Sequence, residues 1–304
     1  MLFLFDPISP ASIEAMAQAL RAPASSHQSW LLVDGALVEP QHLKPALRFL
    51  GWASQRALEF TPLAAYGEHG LLLVELPQEA EKLTSSLQRL ISTAPDAPAW
   101  SCFAATQPLP VLQQCFAYLA QAQHEQLKVH CRVADTRVLP VLLAQLSDAQ
   151  RLRITTSITH WHWFHREEGS LQTWKAPSPM HEPVDPLPHL QINDSQFTAM
   201  LDAAEPDGIF LQLQEVLPAL MPKQHRGRFY SSLLRILQTA TQLQLQGNPD
   251  RLQFVVLSLG FGEHFHKHPQ LQNTWKAVQQ GQSFTALKNA WSDVLWDTLE
   301  QEKS

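Results

Sequence analysis

The stretch "SWLLVDG" (Ser29–Gly35) is the clearest indication of the fold of this 304-residue chain. Its apolar run from Trp30 to Val33 ends in Asp-Gly, as expected of a buried strand that leads into a turn. A helical pattern with a terminal glycine follows at His42–Gly51. A second apolar run, Gly70–Pro77, ends in proline. These patterns predict strands that have both faces covered.

Strand and helix patterns continue to alternate up to residue 176. Further strands are predicted at 99–106, 127–133 and 154–165, with a return strand at 171–176 that completes a hairpin, and helices at 78–91, 110–122 and 137–146. Strands that alternate with helices form a sheet covered by helices. We therefore predict an α/β (α+β) domain with a mixed sheet over residues 1–176.

A proline-rich segment separates this part from the rest. Residues 177–188 contain five prolines in twelve positions, which prevents regular structure and predicts a linker over 177–190. After it, helical periodicity dominates at Arg228–Gln246 and Ser283–Leu299. We predict an all-α domain over residues 191–304.

The composition limits the class of protein. A net charge of −6 and a pI near 6.1 argue against nucleic acid as a partner, because nucleic-acid binders carry a basic stripe. Three cysteines without a C-x-x-C pair suit a reducing compartment. The apolar start, Met1–Phe5, is too short for a signal peptide and is interpreted as a first strand. No stretch approaches the roughly 18 apolar residues of a membrane span. We expect a cytoplasmic protein that does not bind a membrane.

Histidines in "HWHWFH" (His160–His165) are the metal candidates. Residues two apart in a strand share a face, so His160 and His162 point to one side and Trp161 and Trp163 to the other. Only these two histidines converge, whereas a zinc site needs three or four ligands. We therefore predict no metal site, and keep a metal-dependent enzyme that uses His160 and His162 as the alternative.

Other catalytic patterns are missing or incomplete. His264, His266 and His268 precede a proline in a predicted loop, where solvent exposure is the simpler interpretation. "GFGEHF" (Gly260–Phe265) lacks the third glycine of a dinucleotide-binding loop, and no phosphate-binding loop, zinc-protease motif or nucleophile elbow occurs. We predict no catalytic residue and no cofactor.

Four segments, taken in order, resemble the domain-of-unknown-function 4123 family. They are "WLLVDGA" (Trp30–Ala36), "GLLLVEL" (Gly70–Leu76), "HCRVADTRVLPVLLAQLSDAQ" (His130–Gln150) and "ITHWHW" (Ile158–Trp163). The third segment departs from the family pattern, because Ala134 and Thr136 replace the usual aromatic residue and proline on either side of the aspartate.

The resemblance implies an adaptor, or chaperone, of bacterial type VI secretion. Such proteins hold a secreted effector protein in the cytoplasm and help load it onto the spike protein, which carries valine-glycine repeats. The matching motif residues are Asp34, Arg132, Asp135 and Arg137. We interpret them as an ion-pair network that defines the fold, with a partner contact as the alternative. A structural scaffold of the secretion apparatus is the other function that stays open.

The most basic short stretch, "PKQHRGR" (Pro222–Arg228), matches no motif of the family. Its Lys223, Arg226 and Arg228 suit the solvated start of a helix. In an adaptor the same cations would also suit contact with an acidic segment of the effector.

Overall fold

The computed structural model describes residues 3–21, 27–77, 79–176 and 187–301. Two compact units divide the chain: Met1–Ala204 with Pro222–Gly227, and Glu205–Met221 with Arg228–Ser304. The first unit extends beyond the predicted boundary at residue 176. Of the predicted linker, residues 177–186 lie outside the described residues.

A six-stranded sheet forms the centre of the first unit, in the order β2-β3-β1-β4-β7-β8. A separate hairpin consists of β5 and β6. The strands are β1 (Gln28–Asp34), β2 (Ser54–Arg56), β3 (Leu71–Glu75), β4 (Trp100–Ala105), β5 (Gln121–His124), β6 (Leu127–His130), β7 (Ile158–Phe164) and β8 (Leu171–Lys175).

All five pairings within the six-stranded sheet are antiparallel. Strands β3 and β4 lie on either side of β1 and run parallel to each other, so the helix between them connects them as in a split β-α-β unit. Strands and helices therefore alternate along the sequence although no two neighbouring strands of this sheet are parallel. The predicted α+β class is confirmed, and the predicted mixed sheet is replaced by an antiparallel one.

Helices cover both faces of the sheet. The helices of the first unit are α1 (Pro10–Arg21), α2 (Gly35–Val38), α3 (Pro40–Leu50), α4 (Ala80–Ile91), α5 (Leu109–Ala120), α6 (Leu139–Gln145) and α7 (Asp148–Thr155), with the beginning of α8 (Asp194–Val216). Each face has its own core, one formed with α5, α6 and α7 and the other with α1, α3 and α4. Alternate residues of β1 serve the two cores, which explains its continuous apolar run.

The first residues of the chain do not form the predicted strand. Phe3 and Phe5 are buried in the core that contains α1, but no strand is present between residues 3 and 9. Their apolar pattern indicates that the side chains are buried, and an irregular segment can bury them as well as a strand can. The interpretation of the start as a strand is wrong for these described residues.

The chain after the proline-rich segment returns to the first unit. The N–H of Gln123 donates to the carbonyl of Leu190 at 2.8 Å, and the N–H of Ile192 donates to the carbonyl of Gln123 at 2.8 Å. Leu190 and Ile192 are buried in the same core as α5. These contacts explain why the first unit continues past residue 176.

The second unit is helical, as predicted for the C-terminal part. Besides the rest of α8, its helices are α9 (Arg226–Gln242), which begins in the first unit, α10 (Asn248–Phe261), α11 (Gln272–Gln279), α12 (Phe284–Asn289) and α13 (Asp293–Gln301), with short 3₁₀ segments at Pro218–Leu220, Phe265–Lys267 and Pro269–Leu271. Phe254, Trp275 and Phe284 pack at its centre, with the rings of Trp275 and Phe284 stacked at 5.2 Å. No helix among the described residues combines the length and apolar character that crossing a membrane requires.

Candidate functional site

Asp34 and Arg132 form an ion pair between the end of β1 and the segment after β6. The Arg132 guanidinium donates from Nη2 to Oδ1 at 2.7 Å and from Nε to Oδ2 at 3.1 Å. Asp34 is 2% exposed, whereas the Arg132 side chain is partly open to solvent. A two-point contact of this kind fixes the orientation of both groups.

The same carboxylate begins helix α2. Its Oδ1 accepts hydrogen bonds from the N–H groups of Ala36 and Leu37, at 3.1 and 3.3 Å. Burial raises the pKa of Asp34, while Arg132 acts in the opposite direction. Because the buried carboxylate has both a cation and backbone donors, the turn after β1 is held in one geometry.

Asp135 and Arg137 form a second, local ion pair. Arg137 donates to Asp135 from Nη2 at 2.6 Å and from Nε at 2.9 Å, and its backbone N–H donates to Oδ1 at 2.9 Å. Asp135 is buried, and the Arg137 guanidinium also lies over the ring of Phe3, 5.1 Å from its centroid. All four motif residues thus form ion pairs inside the first unit.

A cavity of about 250 Å³ opens beside the Asp34–Arg132 pair. The 3₁₀ segment Pro62–His69 and strand β6 contribute Tyr66, His69 and His130 to its lining. The rings of Tyr66 and His130 stack at 5.8 Å. Partial desolvation of the His130 ring lowers its pKa; a hydrogen bond with the backbone of Ala120 opposes this shift, and the charge of Arg132 adds to it.

A second cavity of about 330 Å³ shares His130 with the first. Pro62 and Leu63 line it together with residues of β5 and β6 and with His189. Its lining is mainly apolar or uncharged, with Lys128 as a cation. The two cavities therefore adjoin each other at His130.

Large apolar side chains are exposed on the segments that line these cavities or that adjoin the lining residues in sequence. Phe60 is 83% exposed, Tyr66 55% and Leu127 54%. We use the term His130 surface for the set Phe60, Pro62, Leu63, Tyr66, Leu127, Val129 and His130. Exposed aromatic and aliphatic groups around a concavity are typical of a site that another molecule covers.

The structure places the metal candidates of β7 as the sequence predicts. Trp161 and Trp163 are buried in one core, and His160 and His162 project from the opposite face with their rings 6.3 Å apart. His162 Nδ1 lies 2.8 Å from the Thr173 hydroxyl. Burial, and next the neighbouring His160, lower the pKa of His162 to about 4. No group of three or more His, Cys, Asp or Glu residues within the described ranges is arranged to hold a metal ion.

The second histidine cluster lies in the 3₁₀ segments of the second unit. His266 Nδ1 is 3.1 Å from the Glu263 carbonyl oxygen, and the backbone N–H of Gln270 donates to Nδ1 of His268 at 3.3 Å. The rings of His264 and His266 meet edge to face at 6.3 Å. These imidazoles help to shape the turns before α11.

The basic stretch Pro222–Arg228 is divided by the structure. Arg226 is buried in the first unit, where its Nη2 donates to Asp96 Oδ2 at 3.1 Å. Lys223 and Arg228 are exposed, in the first and second unit respectively. Arg226 thus contributes an internal contact and no surface charge, because the segment 222–227 packs into the first unit.

Sequence reasoning missed the His130 surface. His130 entered it only as the first residue of the third family-like segment, and in the structure its side chain is exposed whereas that of the adjacent Cys131 is buried in the core. The available signal was the apolar character of "FTPLAAYG" (Phe60–Gly67) in a segment without strand or helix periodicity.

Comparison with known proteins gives one family match. A family model described as "Domain of unknown function (DUF4123)" matches residues 29–153. The match includes Asp34, Arg132, Asp135 and Arg137, together with every residue of the His130 surface. Neither the curated proteins nor the solved structures that were searched contain a match.

Proposed function

We propose that this protein is a non-enzymatic adaptor of type VI secretion, which binds one effector protein in the cytoplasm and hands it to the spike protein. The family match over residues 29–153 supports this proposal, because the resemblance on the same residues implies an adaptor. The secreted effector and the valine-glycine repeat spike protein are its proposed partners. No cofactor or catalytic residue takes part in this function.

The His130 surface is the observation that carries the proposal. Phe60 is the most exposed large apolar residue among the described residues of the first unit, and it adjoins in sequence the segment that contributes to the lining of both cavities. Covering Phe60, Tyr66 and Leu127 with an apolar partner surface removes their area from water, which favours association. A surface of this type suits an adaptor that shields and presents another protein.

The fold supports such binding by holding the surface rigid. Asp34 joins β1 to the segment after β6 through Arg132, and Tyr66 stacks on His130 at the end of β6. Because these side chains are already ordered before the partner binds, less of the binding free energy is lost in ordering them. Polar groups such as Lys128 at the rim keep the interface mixed, as reversible complexes require.

Co-expression with a candidate effector protein tests the proposal. We expect the chain to raise the soluble yield and the secretion of that effector. Phe60→Ser should abolish most of the gain. Phe49→Ser is the matched control, because Phe49 is 69% exposed but lies outside the His130 surface. An effector that is equally soluble and equally secreted without the chain would overturn the proposal.

A further inference from the structure

Strand β6 has an edge, beside the His130 surface, that pairs with no other strand in the described part of the chain. In the β5–β6 hairpin, the N–H of Cys131 donates to the carbonyl of Ala120 at 3.0 Å, which sets the alternation of inward and outward backbone groups. The outward groups of β5 are those of Gln123, which bond to Leu190 and Ile192. The corresponding outward groups of β6 belong to Lys128 and His130, and these form no backbone hydrogen bond with another described residue.

The two sides of this edge differ in chemistry. Lys128 and His130 project to one side, where Tyr66 stacks on His130. Val129 projects to the other side and packs partly against the core, together with Leu63. A strand added to this edge would therefore contact basic and aromatic side chains on one side and apolar side chains on the other. The residues of the added strand would alternate between types that suit these two sides.

The charge of Lys128 indicates which residue type the added strand carries opposite it. The Lys128 ammonium is exposed and has no ion-pair partner within the described residues. Asp34 is the only carboxylate among the residues that line either cavity, and Arg132 already pairs with it. A lysine on an edge strand discourages pairing with other strands in general, and an acidic side chain directly opposite it offsets that effect.

We propose that β6 binds an extended segment of the partner protein by strand addition, and that this segment alternates apolar and acidic residues. The inference rests on the proposed function in taking the effector as the source of the segment. Backbone groups of Lys128 and His130 supply hydrogen bonds, and the cavities on either side of His130 receive the alternate side chains. An acidic residue of the segment lies opposite Lys128.

The first test uses peptides with the full chain. A blocked nine-residue peptide that alternates valine and glutamate should bind, and the same peptide with lysine in place of glutamate should bind at least about tenfold more weakly. Fluorescence anisotropy measures both affinities. Hydrogen exchange should show that binding slows the amides of Lys128 and His130. Equal affinity for the two peptides, or unchanged exchange at both amides, would overturn the inference.

A proline variant removes both contributions that the inference assigns to Lys128, its outward N–H and its ammonium group. Lys128→Pro removes an outward N–H that the hairpin does not use, and should weaken binding of the glutamate peptide at least about tenfold. Lys175→Pro is the matched control: it removes the same residue type from the exposed edge of β8, where the pairing with His160 also leaves the N–H pointing outward. Circular dichroism checks that both variants are folded. Wild-type affinity in Lys128→Pro, or an equal loss in Lys175→Pro, would refute strand addition.

Co-expression of the same variants with the effector separates the two proposals. If the wild-type chain and Lys128→Pro both raise the effector's solubility, the adaptor function stands and strand addition by the effector is wrong. If only the wild type does so, both are supported. If the wild type has no effect, the adaptor function is wrong and the effector is not the source of the segment.

Discussion

Asp34 and Arg132 are separated by 98 residues in the chain and joined by two hydrogen bonds of 2.7 and 3.1 Å. The carboxylate is buried and also holds the first turn of α2. This pair thus links the central strand of the sheet to the segment that follows the β5–β6 hairpin. It lines the cavity that contains Tyr66 and His130, so its integrity affects both the stability of the first unit and the shape of the proposed binding surface.

Removing the cation should destabilise the first unit. Arg132→Ala leaves a buried carboxylate without its charged partner, which we expect to lower the free energy of unfolding by about 3 kcal/mol. Urea denaturation measures the change. Arg56→Ala is the control, since the Arg56–Glu59 pair is exposed and should contribute less than about 1 kcal/mol. Equal losses in the two variants would contradict a structural role for the Asp34–Arg132 pair.

The loss in Arg132→Ala should depend on pH. Burial already raises the pKa of Asp34, and loss of the guanidinium raises it further. A carboxyl group whose pKa is raised in the folded state stabilises the fold in its protonated form. This stabilisation is lost as the pH increases through the folded-state pKa. The difference in unfolding free energy between wild type and variant should therefore be larger at pH 7 than at pH 4. A constant difference would show that Asp34 is not the group responsible.

His162 should make the protein sensitive to acid. Its pKa is lowered to about 4 by burial, whereas the unfolded chain titrates near the usual value of about 6.5. Above the unfolded-state pKa, the neutral His162 ring makes its full contribution to the free energy of unfolding. That contribution is lost as the pH falls toward 4, by about 3 kcal/mol in total. His162→Gln should remove most of this dependence in denaturation measured between pH 7 and 4. His160→Gln should remove less, because its ring is more exposed.

Glycine is required at the start of α2. A Cβ atom on Gly35 would lie 2.0 Å from the carbonyl oxygen of Glu68, in the segment that carries Tyr66. Gly35→Ala should therefore cost about 2 kcal/mol of stability and weaken effector binding through displacement of that segment. Gly260→Ala, in α10, meets no atom within 4 Å and should stabilise the protein by about 0.5 kcal/mol. Thermal unfolding of the pair provides the measurement; equal effects would contradict the close contact at Gly35.

The three thiols should be unreactive in the folded protein. Cys102, Cys115 and Cys131 are free and buried, and burial raises the pKa of all three, to about 12 for Cys115 and about 11 for Cys131. Thiolate is the reactive form, so a disulfide reagent at pH 8 should modify them only after denaturation. Rapid modification of any of them without denaturant would show that the core opens locally.

Local patterns predicted most of the elements. The strand at Ser29–Gly35 was predictable because its continuous apolar run reports burial on both faces, and the strand at His160–Trp163 because period-two spacing reports which side chains share a face. The helix that ends at Gly51 was predictable for a similar reason, since glycine there adopts the left-handed conformation that closes a helix. Strand direction was not predictable, because the same alternation of strands and helices accompanies both parallel strands and a split β-α-β arrangement.

The sequence by itself determined many of the strands and helices, among them β1, β3, β4 and α4, because these depend on residues a few positions apart. Only the tertiary structure decided that Arg132 would reach Asp34, that Tyr66 would stack on His130, and that Arg226 would be buried against Asp96. Contacts between distant residues depend on the order of strands in the sheet and on the packing around them. The proposed binding surface is made of such contacts, and no periodicity in the chain encodes it.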